Sequence, residues 1–299
     1  MRSAPALLAQ AITQGVIACA DVLEGAAQLV PVSRSNLVHR LELRGRPVAF
    51  VKQQGHATAT DGLDTVTREA LVLGEVAGGP VPQVLHVDDD AVWTSAVAGH
   101  PLDSCLPADP RRVAAALGES LAALHRHPVR PSVTGPEATR PWPVTGAAPA
   151  TVRSAPSGTP AADLADRVTG GEGPDSLALR RAGRRWRRSH WIHGDLSVGN
   201  VLVHLRADGS PVARFVDLED GGLGDPSWDV VCALRVVDDV LLLADVEPAR
   251  QALLAAYLAA GGSGRPDPGL ALAHDVMADT RSALGELAGR GGLAPAVAS

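Results

Sequence analysis

The chain has 299 residues, of which 45% are hydrophobic and 3% aromatic, and its formal net charge is −6 at pH 7. The length allows two domains or one large one, and the acidic balance argues against a nucleic-acid partner. No apolar run approaches the ~20 residues that span a bilayer, and the N-terminus lacks a signal-peptide pattern, so we expect a cytoplasmic protein without a membrane partner.

The first third of the chain predicts a helix, three strands, a second helix and two further strands. Residues 5–15 are helical, and residues 29–55 contain strands because residues 37–43 alternate with the period of two that is typical of a strand. A helix over residues 64–76 has apolar side chains at three- and four-residue spacing and ends at a Gly-Gly-Pro sequence. Strands over residues 81–87 and 91–97 lead to a hinge at residues 98–101.

The remainder of the chain predicts mainly helices. Asp109 and Pro110 can begin a helix that extends to residue 127. Residues 128–160 are rich in Pro, Thr, Ser, Gly and Ala, which predicts a long, irregular and mobile insertion. Residues 191–205 and 212–216 predict a hairpin, and residues 228–290 predict three helices with breaks near Pro248 and at residues 261–268.

This order of elements predicts an α+β fold and not a doubly wound sheet, because strands and helices do not alternate along the chain. We expect two unequal lobes. Residues 1–98 form a small N-lobe with a five-stranded antiparallel sheet and one main helix, and residues 99–299 form a larger, mostly helical C-lobe.

The most informative residues are a His-Gly-Asp sequence that ends at Asp195, followed by Asn200 and Asp217. Four residues separate Asp195 from Asn200, as in the catalytic loop of kinases, where the Asp orients or deprotonates the attacking hydroxyl and the Asn binds Mg²⁺. Mg²⁺ prefers oxygen ligands, which an amide and a carboxylate both supply. We therefore predict that Asn200 and Asp217 are metal ligands.

The ordered set of polar residues from 193 to 229 resembles the aminoglycoside phosphotransferase and choline kinase superfamily. The resemblance rests on His193-Gly194-Asp195, Asn200, Asp217-Leu218-Glu219-Asp220, Gly224-Asp225-Pro226 and Asp229. It extends over roughly residues 29–260. It implies a two-lobed protein-kinase-like fold and transfer of the γ-phosphate of ATP, with Mg²⁺, to a hydroxyl group, and it does not exclude GTP.

The resemblance also implies roles for the residues around the catalytic loop. Asp195 would be the catalytic base or the group that orients the attacking hydroxyl. Asp225 and Asp229 would brace the catalytic loop through hydrogen bonds, and His193 would have a structural role. Glu219 would either bind a metal-bound water molecule or be solvated.

In the N-terminal half, the resemblance implies a site for the nucleotide. Lys52, on the third strand, would neutralise the α- and β-phosphates, and Glu69, on the following helix, would hold Lys52 in place as an ion pair. Phe50 lies on the same face of the strand as Lys52 and would either stack on adenine or pack in the core. Ser95 and Val97 fall at the linker between the lobes, where members of the superfamily bind adenine through backbone groups.

The turn between the first two strands departs from the pattern of protein kinases, because residues 33–36 read Ser-Arg-Ser-Asn and contain no glycine. Glycine-rich loops allow backbone N–H groups to approach phosphates. Here Ser33, Ser35 and Asn36 would cover the phosphates with side-chain donors and a tight turn.

The sequence leaves the acceptor open. Four acidic residues between positions 238 and 247 would suit a polycationic acceptor, whereas six arginines between positions 180 and 188 would repel one if they faced the cleft. The first hypothesis is a small-molecule kinase in antibiotic or natural-product metabolism. Its acceptor would be an aminoglycoside-like compound, a sugar or an amino alcohol.

The second hypothesis is a kinase that acts on Ser or Thr of a ribosomal precursor peptide. The turn at residues 33–36 and the strand that ends in Val51-Lys52-Gln53-Gln54-Gly55 look similar to the kinase subunits of class V lanthipeptide and thioamitide pathways. Those kinases work with a separate phosphate-eliminating lyase subunit, and an acidic leader peptide would suit the arginines. A third hypothesis is a nucleotide-binding pseudokinase, which the presence of Lys52, Asp195, Asn200 and Asp217 disfavours.

Overall fold

The computed structural model describes residues 2–32, 37–54, 64–104, 109–130, 135–241 and 246–289, which form two unequal lobes. The N-lobe contains α1 (Ala4–Thr13), α2 (Cys19–Leu23), β1 (Ala27–Pro31), β2 (Leu37–Leu43), β3 (Arg46–Gln53), α3 (Thr65–Glu75), β4 (Val84–Asp88) and β5 (Ala91–Ser95). The C-lobe contains β6 (His100–Pro101), α4 (Pro110–His125), α5 (Trp142–Thr145), α6 (Ala150–Arg153), α7 (Pro160–Thr169), α8 (Pro174–Arg185), β7 (His190–Ile192), β8 (Val201–Leu205), β9 (Pro211–Phe215), β10 (Gly222–Gly224), α9 (Pro226–Val240), α10 (Val246–Ala259) and α11 (Pro268–Gly289). None of the helices in the described ranges is both long and apolar enough to cross a membrane.

The N-lobe sheet has five antiparallel strands in the spatial order β1-β2-β3-β5-β4. This confirms the predicted α+β class and the predicted sequence of three strands, one main helix and two strands. Helix α3 begins where the sequence predicts, because the Asp64 carboxylate accepts a hydrogen bond from the Thr67 backbone N–H at 2.8 Å and caps the helix. The short helix α2 was not predicted.

Strand β3 has two chemically different faces. Ala49 and Val51 are fully buried and pack with Leu7 of α1 in the core of the N-lobe. Lys52 lies on the other face, because successive side chains of a strand alternate, and it pairs across the sheet with Val92 of β5. Val92 packs against α3. The alternation of β3 therefore directs Lys52 towards α3.

The C-lobe core surrounds α4, whose Leu117 and Leu121 are fully buried. Gly118 allows α4 and α10 to approach closely, since a Cβ atom at this position would lie 2.3 Å from the carbonyl oxygen of Leu253. Three helices, α9 to α11, end the fold as predicted. Pro248 does not break a helix but lies in the first turn of α10, where proline is tolerated.

Two predictions for the C-lobe are wrong in part. Residues 135–160 are not irregular throughout, because they include α5 and α6 and bury Trp142, Val144 and Val152 in the core. Proline and glycine interrupt these apolar residues, so no helical period is visible in the sequence. The predicted hairpin is confirmed in β8 and β9, but its first strand begins at Val201 and not at residue 191. Strand β7 pairs with β10 instead, because the loop of residues 193–200 separates β7 from β8.

Candidate active site

Lys52 is the centre of a charged cluster between the two lobes. Its side chain is buried, and its Nζ lies 3.0 Å from Oε2 of Glu69 on α3. The segment that follows β9, residues 217–220, contributes Asp217 Oδ1 at 2.6 Å and Glu219 Oε2 at 2.5 Å. The structure therefore brings the predicted lysine and glutamate of the N-lobe together with one predicted metal ligand of the C-lobe.

This cluster contains three carboxylates for one ammonium group. Burial lowers the pKa of Lys52, but Glu69, Asp217 and Glu219 raise it by more, so the pKa lies above its ordinary value. Burial raises the pKa of Glu219; Lys52 opposes this rise and Asp217 adds to it, which leaves the pKa above its ordinary value. Lys52 is therefore charged at neutral pH, and the carboxylates carry more negative charge than it neutralises.

The loop of residues 193–200 holds Asp195 and Asn200 in a defined relation. Asn200 Nδ2 donates a hydrogen bond to the Asp195 carbonyl oxygen at 2.9 Å, so the Asn200 amide oxygen is the atom left to bind a cation. The buried His193 ring has its Nε2 2.9 Å from the Val216 carbonyl oxygen. This contact ties the 193–200 loop to the chain immediately before Asp217.

The backbone brings the 193–200 loop and the 217–220 segment very close together. Gly194 has a φ of +86°, and a Cβ atom there would lie 2.3 Å from the Asp220 carbonyl oxygen. A residue with a side chain would push the two segments apart. Asp217 itself has a φ of +65°, which is strained for a non-glycine residue, and the next residue, Leu218, donates its N–H to Glu69 Oε1 at 3.3 Å.

The oxygen atoms of Asn200 and Asp217 suit Mg²⁺. They are hard ligands, and the Asp217 side chain is 43% exposed, so it is open to the cleft. No group of three His, Cys, Asp or Glu side chains in the described part of the chain is arranged to hold a metal ion. Mg²⁺ at a phosphate site takes only one or two protein carboxylates and completes its shell with phosphate oxygens and water. The residues present therefore fit an ion that is shared with a nucleotide.

Asp229, on α9, supports the 193–200 loop from the interior. It is fully buried and accepts the backbone N–H groups of His193 at 2.7 Å and Gly194 at 3.0 Å. Burial raises the pKa of Asp229, but the hydrogen bond with His125 and the positive potential of both histidines lower it below its ordinary value. The neighbouring Trp228 donates its indole N–H to the Gly194 carbonyl oxygen at 2.6 Å, so α9 fixes both backbone polar groups of Gly194.

Asp225 acts on the helix rather than on the loop. It caps α9 by accepting the Ser227 N–H at 3.0 Å, and it also accepts the Arg187 N–H at 3.3 Å. The predicted direct contact of Asp225 with the catalytic loop is therefore replaced by an indirect one, in which the capped helix presents Asp229.

His125, at the end of α4, supports Asp229 and was not identified from the sequence. Its ring nitrogens lie 3.1 Å from Asp229 Oδ2 and 2.8 Å from the Tyr257 hydroxyl. Burial raises the pKa of Tyr257 to about 12, so the hydroxyl keeps its proton at neutral pH. The available signal was periodicity, because residue 125 follows Leu121 by four positions and shares the buried face of α4.

The residues predicted to contact the nucleotide base have different positions. Phe50 and Val97 are partly exposed. Ser95 is engaged within the N-lobe, since its N–H donates to the Gln83 carbonyl oxygen at 2.8 Å and its Oγ accepts the Gln83 N–H at 3.0 Å. The residues predicted to cover the phosphates, Ser33, Ser35 and Asn36, lie outside the described residues.

Six exposed arginines at and beyond the end of α8 form what we call the arginine face. Its members are Arg180, Arg181, Arg184, Arg185, Arg187 and Arg188. Arg185 pairs with Asp267 at 2.8 Å, and Arg188 pairs with Glu137. Within the described ranges, Arg181, Arg184 and Arg187 form no ion pair. The arginine face is therefore a positive surface on a protein of negative net charge.

Comparison with known proteins identifies a family and a fold that are similar to those of this chain. A sequence model of the phosphotransferase enzyme family (APH) matches residues 27–271. No curated protein matches the sequence.

Three solved structures illustrate the similarity of fold. An aminoglycoside phosphotransferase from Streptomyces rimosus, in complex with ADP and streptomycin, is 21% identical, with 89% of this chain and 98% of that chain covered and a TM-score of 0.54. A macrolide 2′-phosphotransferase from Brachybacterium faecium is 21% identical, with coverages of 96% and 93% and a TM-score of 0.55. A choline kinase from Cryptosporidium parvum is 11% identical, with coverages of 96% and 98% and a TM-score of 0.59. The predicted two-lobed, protein-kinase-like fold is confirmed.

Proposed function

This chain belongs to the phosphotransferase enzyme family, and from this premise we propose that it transfers the γ-phosphate of ATP, with Mg²⁺, to a hydroxyl group of a small molecule. The observation that carries the proposal is the meeting of Lys52, from the N-lobe, with Asp217 and Glu219, from the C-lobe. An excess of carboxylates around one ammonium group suits a site that binds a divalent cation together with phosphates.

We assign the binding roles as follows. Lys52 neutralises the α- and β-phosphates, and Glu69 holds Lys52 in place. Asn200 and Asp217 would hold Mg²⁺, which would supply positive charge to offset that of the phosphates. Glu219 would support the hydrated ion. The 2.6 Å contact between Lys52 and Asp217 would give way on binding, because each group then gains a partner of opposite charge.

Asp195 is the catalytic residue of the proposal. It orients the acceptor hydroxyl and accepts its proton, so that the oxygen can attack the γ-phosphate in line with the leaving group. His193 and Asp229 keep the 193–200 loop in the required conformation through their backbone hydrogen bonds.

The nucleotide base would lie between the lobes, and we place their boundary between residues 98 and 99. Phe50 would stack on the base from the Lys52 face of β3. The Ser95 N–H is already engaged in the sheet, which favours Val97 over Ser95 for the backbone contact with adenine. Ser33, Ser35 and Asn36 remain predicted phosphate contacts, and use of GTP in place of ATP remains open.

Two substitutions test the assigned roles. Asp195→Asn should reduce phosphoryl transfer about 10²- to 10³-fold and leave ATP affinity nearly unchanged, because Asp195 touches the acceptor and not the nucleotide. Lys52→Ala should weaken both ATP binding and rate. Binding is measured by calorimetry and transfer by ADP release, with the exposed Arg111→Met as a matched control. Full activity of Asp195→Asn would show that its assigned role is wrong.

For the acceptor we propose a small molecule of the aminoglycoside, sugar or amino alcohol type, in antibiotic or natural-product metabolism. The support is the set of structural relatives, whose names refer to aminoglycosides, a macrolide and choline. Mass spectrometry of candidate alcohols after incubation with ATP and the protein tests this directly. The expected result is a mass gain of one phosphoryl group that is absent with Asp195→Asn.

The arginine face favours one second candidate, a Ser/Thr kinase for an acidic ribosomal precursor peptide that would work with a separate lyase. None of the three relatives described above is named for a peptide substrate or a lyase partner. In the same mass-spectrometric experiment, a phosphoryl gain on a precursor peptide and on no small alcohol would select this candidate. ATP binding without transfer to any acceptor would select the pseudokinase, which the meeting of Lys52 with Asp217 disfavours.

A further inference from the structure

Arg68, on α3, is buried in the contact between the lobes and has no role in the proposed chemistry. It is 2% exposed, and arginine is almost never fully buried unless it is paired. Its Nη1 donates a hydrogen bond to the backbone carbonyl of Glu137, which belongs to the C-lobe. Arg68 directly precedes Glu69, the partner of Lys52, so the two lobes are joined within one turn of the helix that supports the phosphate-binding lysine.

The C-lobe partner of Arg68 is an extended piece of chain, residues 135–140, which we call the strap. The strap lies along the backbone that follows the 217–220 segment. Leu223 N–H donates to the Pro136 carbonyl oxygen at 2.8 Å, and Ala138 N–H donates back to the Leu223 carbonyl oxygen at 3.1 Å. A Cβ atom at Gly222 would lie 2.3 Å from the Pro136 carbonyl oxygen, so glycine is needed for this close approach. The strap and the backbone that it follows are therefore joined by hydrogen bonds and close packing.

Arg68 also acts on the 217–220 segment through charge. Burial is the largest influence on the pKa of Asp220 and raises it above its ordinary value. A hydrogen bond with the Thr139 side chain and the charge of Arg68 lower this pKa, whereas the nearby Asp195 raises it. The Thr139 N–H donates to the Asp220 carbonyl oxygen at 3.0 Å. Arg68 thus contributes positive charge at Asp220, whose backbone carbonyl the strap also holds.

Two adjacent residues of α3 therefore reach the same C-lobe segment by different routes. Glu69 accepts the Leu218 N–H at 3.3 Å, at one end of the 217–220 segment. Arg68 reaches the other end through the strap, because it donates to the Glu137 carbonyl and the Thr139 N–H donates to the Asp220 carbonyl. A helix held at two points along a segment cannot rotate or slide against it without breaking one of these contacts.

We infer that Arg68 is a positioning residue that aligns the phosphate-binding group of the N-lobe with the metal ligands of the C-lobe. The inference rests on the proposed function, since it concerns the alignment of Lys52 with Asn200 and Asp217. Arg68 touches neither the nucleotide nor the acceptor. Its effect is greatest when phosphates and Mg²⁺ are bound together, because only that ligand engages both lobes at once.

The test compares ATP binding with and without Mg²⁺ by calorimetry, for the full chain and for Arg68→Met. In the presence of EDTA the two proteins should bind ATP equally, because Lys52 and Glu69 are intact in both. With Mg²⁺ the variant should bind about tenfold more weakly and should turn over ATP more slowly, so the tightening that Mg²⁺ gives the wild type is largely lost.

Three further variants separate alignment from folding. Arg68→Lys retains the charge and one donor, so binding with Mg²⁺ should return to within about threefold of the wild type. Thr139→Val keeps Arg68 but removes the side-chain hydrogen bond to Asp220, and a smaller loss in the same direction is expected. Arg111→Met, an exposed arginine at the start of α4, should behave as the wild type.

Two results would overturn the inference. One is binding by Arg68→Met that equals the wild type with Mg²⁺. The other is an equal loss with and without Mg²⁺ that Arg68→Lys does not restore, which would identify a general structural role. If the wild-type chain binds no ATP under either condition, it is the proposed function that fails, and this outcome is distinct because it requires no variant.

Discussion

Individual side chains at the site neutralise one another in a way that a bound nucleotide would change. Lys52 is shared among Glu69, Asp217 and Glu219, and the strained backbone of Asp217 holds its carboxylate beside the ammonium group. A group that is partly compensated in this way is expected at a site that is preorganised for a charged ligand. Asp229 differs, because the backbone N–H groups of His193 and Gly194 and the His125 ring compensate its buried carboxylate charge.

We predict that Asp229→Asn destabilises the protein by about 3 kcal/mol, within the range for breaking a buried charged network. The His193 N–H binds Oδ2 of Asp229 and the Gly194 N–H binds Oδ1. In asparagine one of these two atoms is an NH₂ group, which cannot accept, so one buried donor is left without a partner. The measurement is urea unfolding at neutral pH. Asp238→Asn on the same helix is the control, since the more exposed pairs of Asp238 with Arg235 and Arg250 should be worth less than about 1 kcal/mol.

Glu219 provides a prediction that depends on pH. Its pKa in the folded protein is raised above the ordinary value of 4.5, chiefly by burial, so the folded state binds the proton more tightly than the unfolded state. The ionised carboxylate therefore lowers stability at neutral pH, and this cost disappears as the pH falls through the raised pKa.

We expect the ligand-free Glu219→Gln variant to be more stable than the wild type near neutral pH, and we expect the difference to shrink as the pH approaches 4.5. Urea unfolding at the two pH values measures both quantities. A variant that is less stable than the wild type near neutral pH would show that the contact with Lys52 outweighs burial.

At the scale of elements, the crossing of α4 and α10 determines whether the support for the 193–200 loop can form. Helix α4 carries His125 and α10 carries Tyr257, and their contact at 2.8 Å requires the two helices to lie close together. Gly118 makes the approach possible, because its missing side chain would overlap the Leu253 carbonyl oxygen. A small residue far from the cleft thus contributes to the position of Asp229.

We predict that Gly118→Ala destabilises the protein by about 1–3 kcal/mol, because the added methyl group forces α4 and α10 apart. Gly74→Ala, in α3, is the matched control. Nothing lies within 4 Å of a Cβ atom at Gly74, so the higher helix propensity of alanine should stabilise the protein by about 0.5–1 kcal/mol. Denaturant unfolding of both variants gives the two values, and equal effects would contradict the argument from close packing.

At the scale of the whole molecule, the proposed ligand engages both lobes. Lys52 and Glu69 belong to the N-lobe, and Asn200 and Asp217 belong to the C-lobe, so Mg²⁺ and ATP, bound as proposed, would together connect parts of the chain that neither would connect alone. A ligand that binds only the folded state raises stability by mass action, by about 2.7 kcal/mol at a hundred times its Kd.

We therefore expect ATP with Mg²⁺ to raise Tm by about 5 °C under such saturation, and by more than ATP with EDTA. Thermal unfolding at fixed protein concentration measures the shift. Lys52→Ala should lose most of the shift. A wild-type Tm that does not respond to ATP and Mg²⁺ would contradict the proposed function.

The sequence alone determined the features that depend on neighbouring residues. The strands and helix of the N-lobe follow from apolar periodicity, and the spacing of Asp195 and Asn200 indicated the family and the candidate catalytic loop. These features can be predicted because short-range geometry, with periods of two and 3.6 residues, controls them. The roles of the individual site residues remain predictions.

Only the tertiary structure decided which distant residues meet. The burial of Trp142, Val144 and Val152, the pairing of β7 with β10 and the partners of His125 and Arg68 arise from contacts between residues far apart in the chain. The sequence around a polar residue in a helix does not show whether that residue is solvated or buried. Its role depends on whether another part of the chain supplies the hydrogen bonds that replace water, and the local sequence pattern does not contain this information.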